Sequence, residues 1–282
     1  MTLKDRIGYI QGRLVDPVEG KIQAFPYATW KDEFPIAQRN ALTLIEWTID
    51  DYLLEENPFC TGDGRQEIRH LLNAFHLRIE SVTGDCFMQA PFWKCSGDAQ
   101  VKLLDKLDLV IHSCAELGGM LIVVPLVDNG RLENPRQSRD LHRFLIGRHA
   151  KLQKSKVHIA FESDEPPERL SQFIADYPED CFGINYDIGN SASLGFDPAE
   201  EMAAYSHRIS NVHIKDRILG GATVPLGEGA AQFNQVFSGL KNANYPGNFI
   251  LQTARAEDGN HEQTLVRYKE WTLRQLELNF GS

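Results

Sequence analysis

The chain has 282 residues, 42% of them hydrophobic, and a net charge of −10, enough apolar mass to bury one large core. An acidic balance argues against tracking a nucleic-acid backbone, which depends on clustered Lys and Arg. No apolar run approaches the roughly 20 residues that cross a bilayer.

The N-terminus, Met1-Thr2-Leu3-Lys4-Asp5-Arg6, is charged and does not resemble a signal peptide, so a soluble, cytoplasmic protein is expected. Five cysteines, an odd number without a Cys-x-x-Cys pair, are read as reduced, buried thiols.

A first strand is expected over 7–11, followed by a long connection, 12–34, rich in Pro and aromatic residues. Loops of that length in compact domains usually serve a function. A short helix from Glu33 leads to a strand over 43–47, then a helix over 63–74 and a strand over 78–82 ending at Thr83-Gly84-Asp85. The segment 86–93 carries Phe87, Phe92 and Trp93 and is expected to form an apolar lid or an interface, with homo-oligomerisation as a corollary. Val101, Leu104, Leu107, Val110 and Ile111 recur at helical spacing within 98–117. The run 120–125 reads as a strand buried on both faces, and 138–152 as a helix. Strands follow over 157–161, 182–186, 209–214 and 249–251, with helices after Pro166 and over 198–205, 233–243 and 261–278.

Eight strands alternating with helices imply a parallel sheet, and over this length they favour closure into a (β/α)8 TIM barrel, one domain covering 1–282. A doubly wound open sheet competes, but no Gly-x-Gly-x-x-Gly follows the first strand.

In such a barrel Glu46, Asp85, Glu162, Asp187, His213 and Gln252 all fall at C-terminal strand ends, the face that carries active sites. Two carboxylates, an imidazole and an amide oxygen from the last four strands could surround one divalent cation. Nitrogen among oxygens suits Mn, Co or Mg better than Zn. Strand-end carboxylates also cap helices, so that reading stays open. Lys215, Arg217 and Arg255 cluster where barrels often grip phosphate, and Gly220-Gly221 would let backbone N–H groups approach an anion. The alternative is that these cations pair with nearby carboxylates. Gln11 and Arg13, with Trp47 and Trp93 as apolar walls, are further candidates for substrate contact.

Phe161-Glu162, Asn185-Tyr186-Asp187-Ile188-Gly189-Asn190, Val212-His213-Ile214-Lys215-Asp216-Arg217 and Val224-Pro225-Leu226-Gly227-Glu228-Gly229 resemble the xylose isomerase-like TIM-barrel superfamily, in its sugar phosphate isomerase/epimerase branch. The resemblance implies that Glu162, Asp187, His213 and the residue at 252 hold a divalent metal. It also implies that the carboxylates at 162 and 252 move protons. Here position 252 is Gln, which can ligate but cannot act as a general acid or base. Asn190 stands where several relatives carry a His, and the region after strand seven lacks the Asp-x-His of the related zinc endonucleases, so DNA repair is not expected.

The expected function is metal-dependent isomerisation or epimerisation of a small sugar or sugar phosphate by proton transfer next to a carbonyl. Glu162 is the base, and Lys215, Arg217, Arg255, Glu46, Asp85 and Gln11 are substrate contacts. The alternatives are a sugar or inositol dehydratase of the same superfamily and a non-catalytic carbohydrate-binding protein that has lost the fourth Glu.

Overall fold

The computed structural model describes residues 2–280. Eight parallel strands close into a barrel. They are β1 (Ile7–Ile10), β2 (Leu44–Thr48), β3 (Arg78–Thr83), β4 (Leu121–Leu126), β5 (His158–Ser163), β6 (Phe182–Asp187) and β7 (Ile209–Ile214), with β10 (Phe249–Leu251) completing the ring between β7 and β1. Between β7 and β10 a two-stranded antiparallel ribbon, β8 (Asp216–Arg217) and β9 (Thr223–Val224), rises from the mouth. The expected strands are all present. Most of their ends shift by a residue or so, because pairing with a neighbour, not apolar content, sets where a strand stops.

Two expectations change, one of them helical. The stretch 138–152 is two helices, Pro135–Ile146 and His149–Ser155, separated at Gly147. Asn134 caps the first by accepting from the Arg136 and Gln137 N–H groups. The segment 86–93 is neither a lid nor an exposed interface: Phe87, Phe92 and Trp93 are buried, and Phe92 meets Trp93 edge to face. All five cysteines are free, as expected, four of them buried and Cys95 half-buried.

Side chains alternate along each strand, so every barrel position faces either the surrounding helices or the barrel axis. The outward residues, such as Ile45, Trp47, Phe161 and Val212, join one large apolar core beneath the helices. The axis is different: among the described residues only Ile10, Leu44 and Ile250 form an apolar cluster there. Gly8 makes room for them, since a Cβ at that position would lie 2.7 Å from Leu44 Cγ. The next inward positions on β2, β3, β6 and β7 are Glu46, Ser81, Asn185 and Asn211, all buried and polar.

A second polar cluster ties the helices to the barrel. Glu201, fully buried, accepts hydrogen bonds from Tyr186 Oη at 2.7 Å, Ser191 Oγ at 2.7 Å and Tyr205 Oη at 2.6 Å. Burial raises the pKa of this carboxyl while the three hydroxyls oppose the rise. Replacing Glu201 by Ala leaves two buried tyrosine hydroxyls and the half-buried Ser191 hydroxyl without their acceptor, and should cost about 3 kcal/mol in urea denaturation; Glu201→Gln, which keeps an acceptor, should cost about 1 kcal/mol.

Candidate active site at the barrel mouth

The site grows out of the strand register. Asn185 pairs with Asn211 and Asp187 with His213 across β6 and β7, so two inward layers are stacked, one of amides and one of ligand-capable groups. The amides hold the charges above them. Asn211 Nδ2 donates to Glu46 Oε2 and to Asn185 Oδ1, each at 2.9 Å, and Asn185 Nδ2 donates to Glu162 Oε2 at 2.8 Å. Asn190, from the first turn of the helix Ile188–Leu194, donates to the other oxygen, Glu162 Oε1, at 2.7 Å. Both oxygens of Glu162 are thus oriented by neutral amides.

His213 is fixed at both ends. Its Nε2 lies 2.7 Å from Glu46 Oε1, with both residues fully buried, and Nδ1 faces Glu162 Oε2 at 3.4 Å and Asp187 Oδ2 at 4.0 Å. Burial opposes a charged imidazole, but the Glu46 charge and hydrogen bonds to Glu162 and Glu46 outweigh it and raise the pKa to about 10. Any cation bound between Glu162 and Asp187 competes with the Nδ1 proton.

Glu162, Asp187 and His213 bring one ligand atom each within 4.8 Å of one another, and this group could hold a metal ion. Two carboxylates and an imidazole suit a divalent cation, so the residues present fit the expected metal. Asp187 divides its oxygens: Oδ1 accepts the Asn190 N–H at 2.8 Å and caps the helix, while Oδ2 remains on the group. The capping and ligand readings of this residue are compatible.

Gln252 shares a partner with that trio. Its Oε1 lies 3.3 Å from Lys215 Nζ, which also lies 3.2 Å from Asp187 Oδ2 and 3.2 Å from Asn190 Oδ1. The protein's own ammonium therefore bridges the β6 and β10 edges of the site. Gly189 permits this, because a Cβ there would lie 2.7 Å from Lys215 Cγ.

Several expected substrate contacts are engaged elsewhere. Glu46 has one oxygen on His213 and the other on Ser81 Oγ at 2.6 Å and on Asn211, so it supports the site from beneath. Arg255 donates to the carbonyls of Gly12, Val15 and Ile22, and Arg217 to Gly221 O and Asn190 Oδ1. The Gly220 and Gly221 N–H groups are taken by Ser193 O and Ile218 O, so they form no anion cradle. Gln11 Oε1 accepts the Thr48 N–H at 3.3 Å, while its buried Nε2 has no partner. Trp47 and Trp93 are buried and donate to Asn57 and to Gly130 O, which removes them as walls of the site.

The unanticipated residue is Gln23. It sits in the long 12–34 connection, which Arg255 and Arg13 fasten by binding its carbonyls and which Glu33 fastens through the Gly12 and Leu14 N–H groups. Gln23 Nε2 donates to Asp85 Oδ2 at 2.7 Å, and its Oε1 accepts from Gln252 Nε2 at 3.0 Å. A single Gln in a loop gives no periodic or motif signal; only loop length pointed to this segment.

The sequence pattern described as xylose isomerase-like TIM barrel matches residues 37–273. Among curated proteins the chain is 30% identical over 92 residues to the L-ribulose-5-phosphate 3-epimerase UlaE of Salmonella typhi, covering 32% of each chain. Matches to such curated relatives span about a third of their length. Among solved structures, the 3-keto-D-glucoside 4-epimerase YcjR of E. coli superposes with a TM-score of 0.68 at 16% identity, covering 95% of this chain and 98% of that one. The IOLI protein, solved with a binding zinc atom, gives a TM-score of 0.72 at 13% identity, covering 98% and 100%. At such identities the structural likeness shows the fold.

The Arg255 clamp has a measurable consequence. Arg255→Ala should release the backbone of residues 12–23, raising amide hydrogen exchange there at least tenfold while leaving the barrel strands unchanged.

Proposed function

The chain belongs to the xylose isomerase-like TIM-barrel family, and from that premise we propose that it is a metal-dependent isomerase or epimerase of a small sugar or sugar phosphate. The observation that carries this reading is the convergence of Glu162, Asp187 and His213 at the barrel mouth. Similarity to the L-ribulose-5-phosphate 3-epimerases supports the substrate class and the reaction.

Glu162, Asp187 and His213 would hold the cation, with Gln252 as a neutral fourth donor; when bound, it supplies polarisation of the substrate carbonyl. Glu162 acts as the base. The Asn185 and Asn190 amides orient both of its oxygens, so that the carboxylate is aimed to take a proton from the carbon next to the carbonyl. Glu46 keeps the His213 ring turned so that Nδ1 faces the other ligands. Lys215, beside Asp187 and Gln252, is placed to meet a hydroxyl or other anionic oxygen of the substrate. One base returning a proton to the face it came from suffices for aldose-ketose isomerisation; inversion of a centre requires a second carrier.

Two measurements test this reading. Deuterium incorporation from heavy water into ketoses and ketose phosphates should require Mn, Co or Mg, vanish with chelator and return on adding metal, and fall by about 10²-fold or more in Glu162→Gln for the substrates whose proton Glu162 removes. Exchange that is unaffected by both treatments would remove the metal and Glu162 from the reaction. In Glu46→Gln, metal affinity measured by calorimetry should drop about 10- to 100-fold with the fold intact.

A further inference from the structure

Inversion next to a carbonyl needs a proton carrier on each face of the planar intermediate, and Glu162 serves one face. The Gln252 carboxamide cannot serve the other near neutral pH. Glu46 is fully buried beneath the site with both oxygens occupied. Lys215 is held among Asp187, Asn190 and Gln252. Asp85, just beyond the end of β3, is in a different position. Its oxygens accept from two neutral donors, Thr83 Oγ1 at 2.8 Å and Gln23 Nε2 at 2.7 Å.

The second of those donors also reaches the β10 tip. The Gln23 carboxamide spans the mouth from Asp85 to Gln252, donating through nitrogen to the first and accepting through oxygen from the second. It presents a carbonyl and a donor side by side, much as a keto-sugar presents a carbonyl beside a hydroxyl. A sugar that takes the place of this amide meets Asp85 at one end and Gln252 at the other.

We propose that Asp85 is the second proton carrier of the reaction, acting on the substrate face opposite Glu162. This rests on the sugar isomerase or epimerase reading and narrows it to an epimerase. In the forward step the Glu162 carboxylate takes the proton from the carbon next to the carbonyl, and the C–H electron pair becomes the C=C bond of an enediolate. That pair then forms a new C–H bond on the opposite face with the proton of the Asp85 carboxylic acid. Glu162 ends protonated and Asp85 ionised, and exchange of one proton each with water restores the start. Burial pushes Asp85 up to about 6; the Asp50 and Glu162 charges add to this, hydrogen bonds from Thr83 and Gln23 oppose it, and Arg13 is the cation close by. Asp85 can therefore both give and take a proton near neutral pH.

The test uses the full-length, metal-loaded protein and two pairs of ketoses epimeric at C3, L-ribulose with L-xylulose and D-fructose with D-allulose, free and as terminal phosphates. Deuterium uptake at C3 from heavy water is followed separately for each epimer. Wild type should exchange both members of a pair and interconvert them. Asp85→Asn should lose interconversion by about 10²-fold or more. It should keep exchange with one epimer to within about threefold and lose it with the other, and Glu162→Gln should show the reverse selectivity. Equal loss for both epimers in Asp85→Asn, with an unchanged melting temperature, assigns a structural role and overturns the proposal, as does retained interconversion. No exchange by wild type with any of these sugars overturns the epimerase reading itself, and this inference with it.

Discussion

The site depends on one buried contact, that between Glu46 and His213, which lies at zero exposure inside the barrel. A charge taken from water into such a position costs several kcal/mol unless partners replace the solvent, and the structure supplies them layer by layer. Ser81 and Asn211 complete Glu46, Asn185 links Asn211 to Glu162, and Glu162 returns to His213. No member can turn away without leaving another unsatisfied. The network therefore fixes the direction of the imidazole and the carboxylates through the protein's own side chains, and preorganisation of this kind is what proton transfer requires.

The basic residues around the mouth are used differently from what their clustering suggests. Arg255, Arg217 and Arg13 all donate to backbone carbonyls of irregular segments. A loop over a barrel mouth carries carbonyls that strands and helices do not satisfy, and a guanidinium with donors in several directions can gather three of them. The outcome is a long connection held in one place, so that Gln23 reaches the centre of the mouth. Charge clustering in the sequence is thus converted into loop order.

Position 252 shows how one substitution redistributes roles. With Gln at position 252 the β10 tip carries a neutral amide, and its oxygen faces the Lys215 ammonium. Across the Gln23 amide lies Asp85, whose oxygens accept from Thr83 and Gln23 and whose pKa burial raises to about 6. Acid and base capacity in a barrel of this kind can move between strand tips, since all of them open onto the same mouth.

The amino-acid sequence determined the barrel and its axis of chemistry. Apolar runs alternating with helical periodicity specify eight β/α units, and the abrupt polar ends of those runs mark the strand tips at Glu162, Asp187 and His213 that the barrel brings together. These signals are local, with periods of two and 3.6 residues, and so survive in one dimension. The tertiary structure alone decided which polar side chains meet. Glu46 and His213 are 167 positions apart, and Gln23 and Gln252 are 229 apart. Nothing in either neighbourhood encodes the partner; contact follows from closing the ring and from where the arginines fasten the loop. For the same reason Trp47 and Trp93 resemble walls of a site in sequence, yet the parity of a strand and the packing of a short helix turn them into the core.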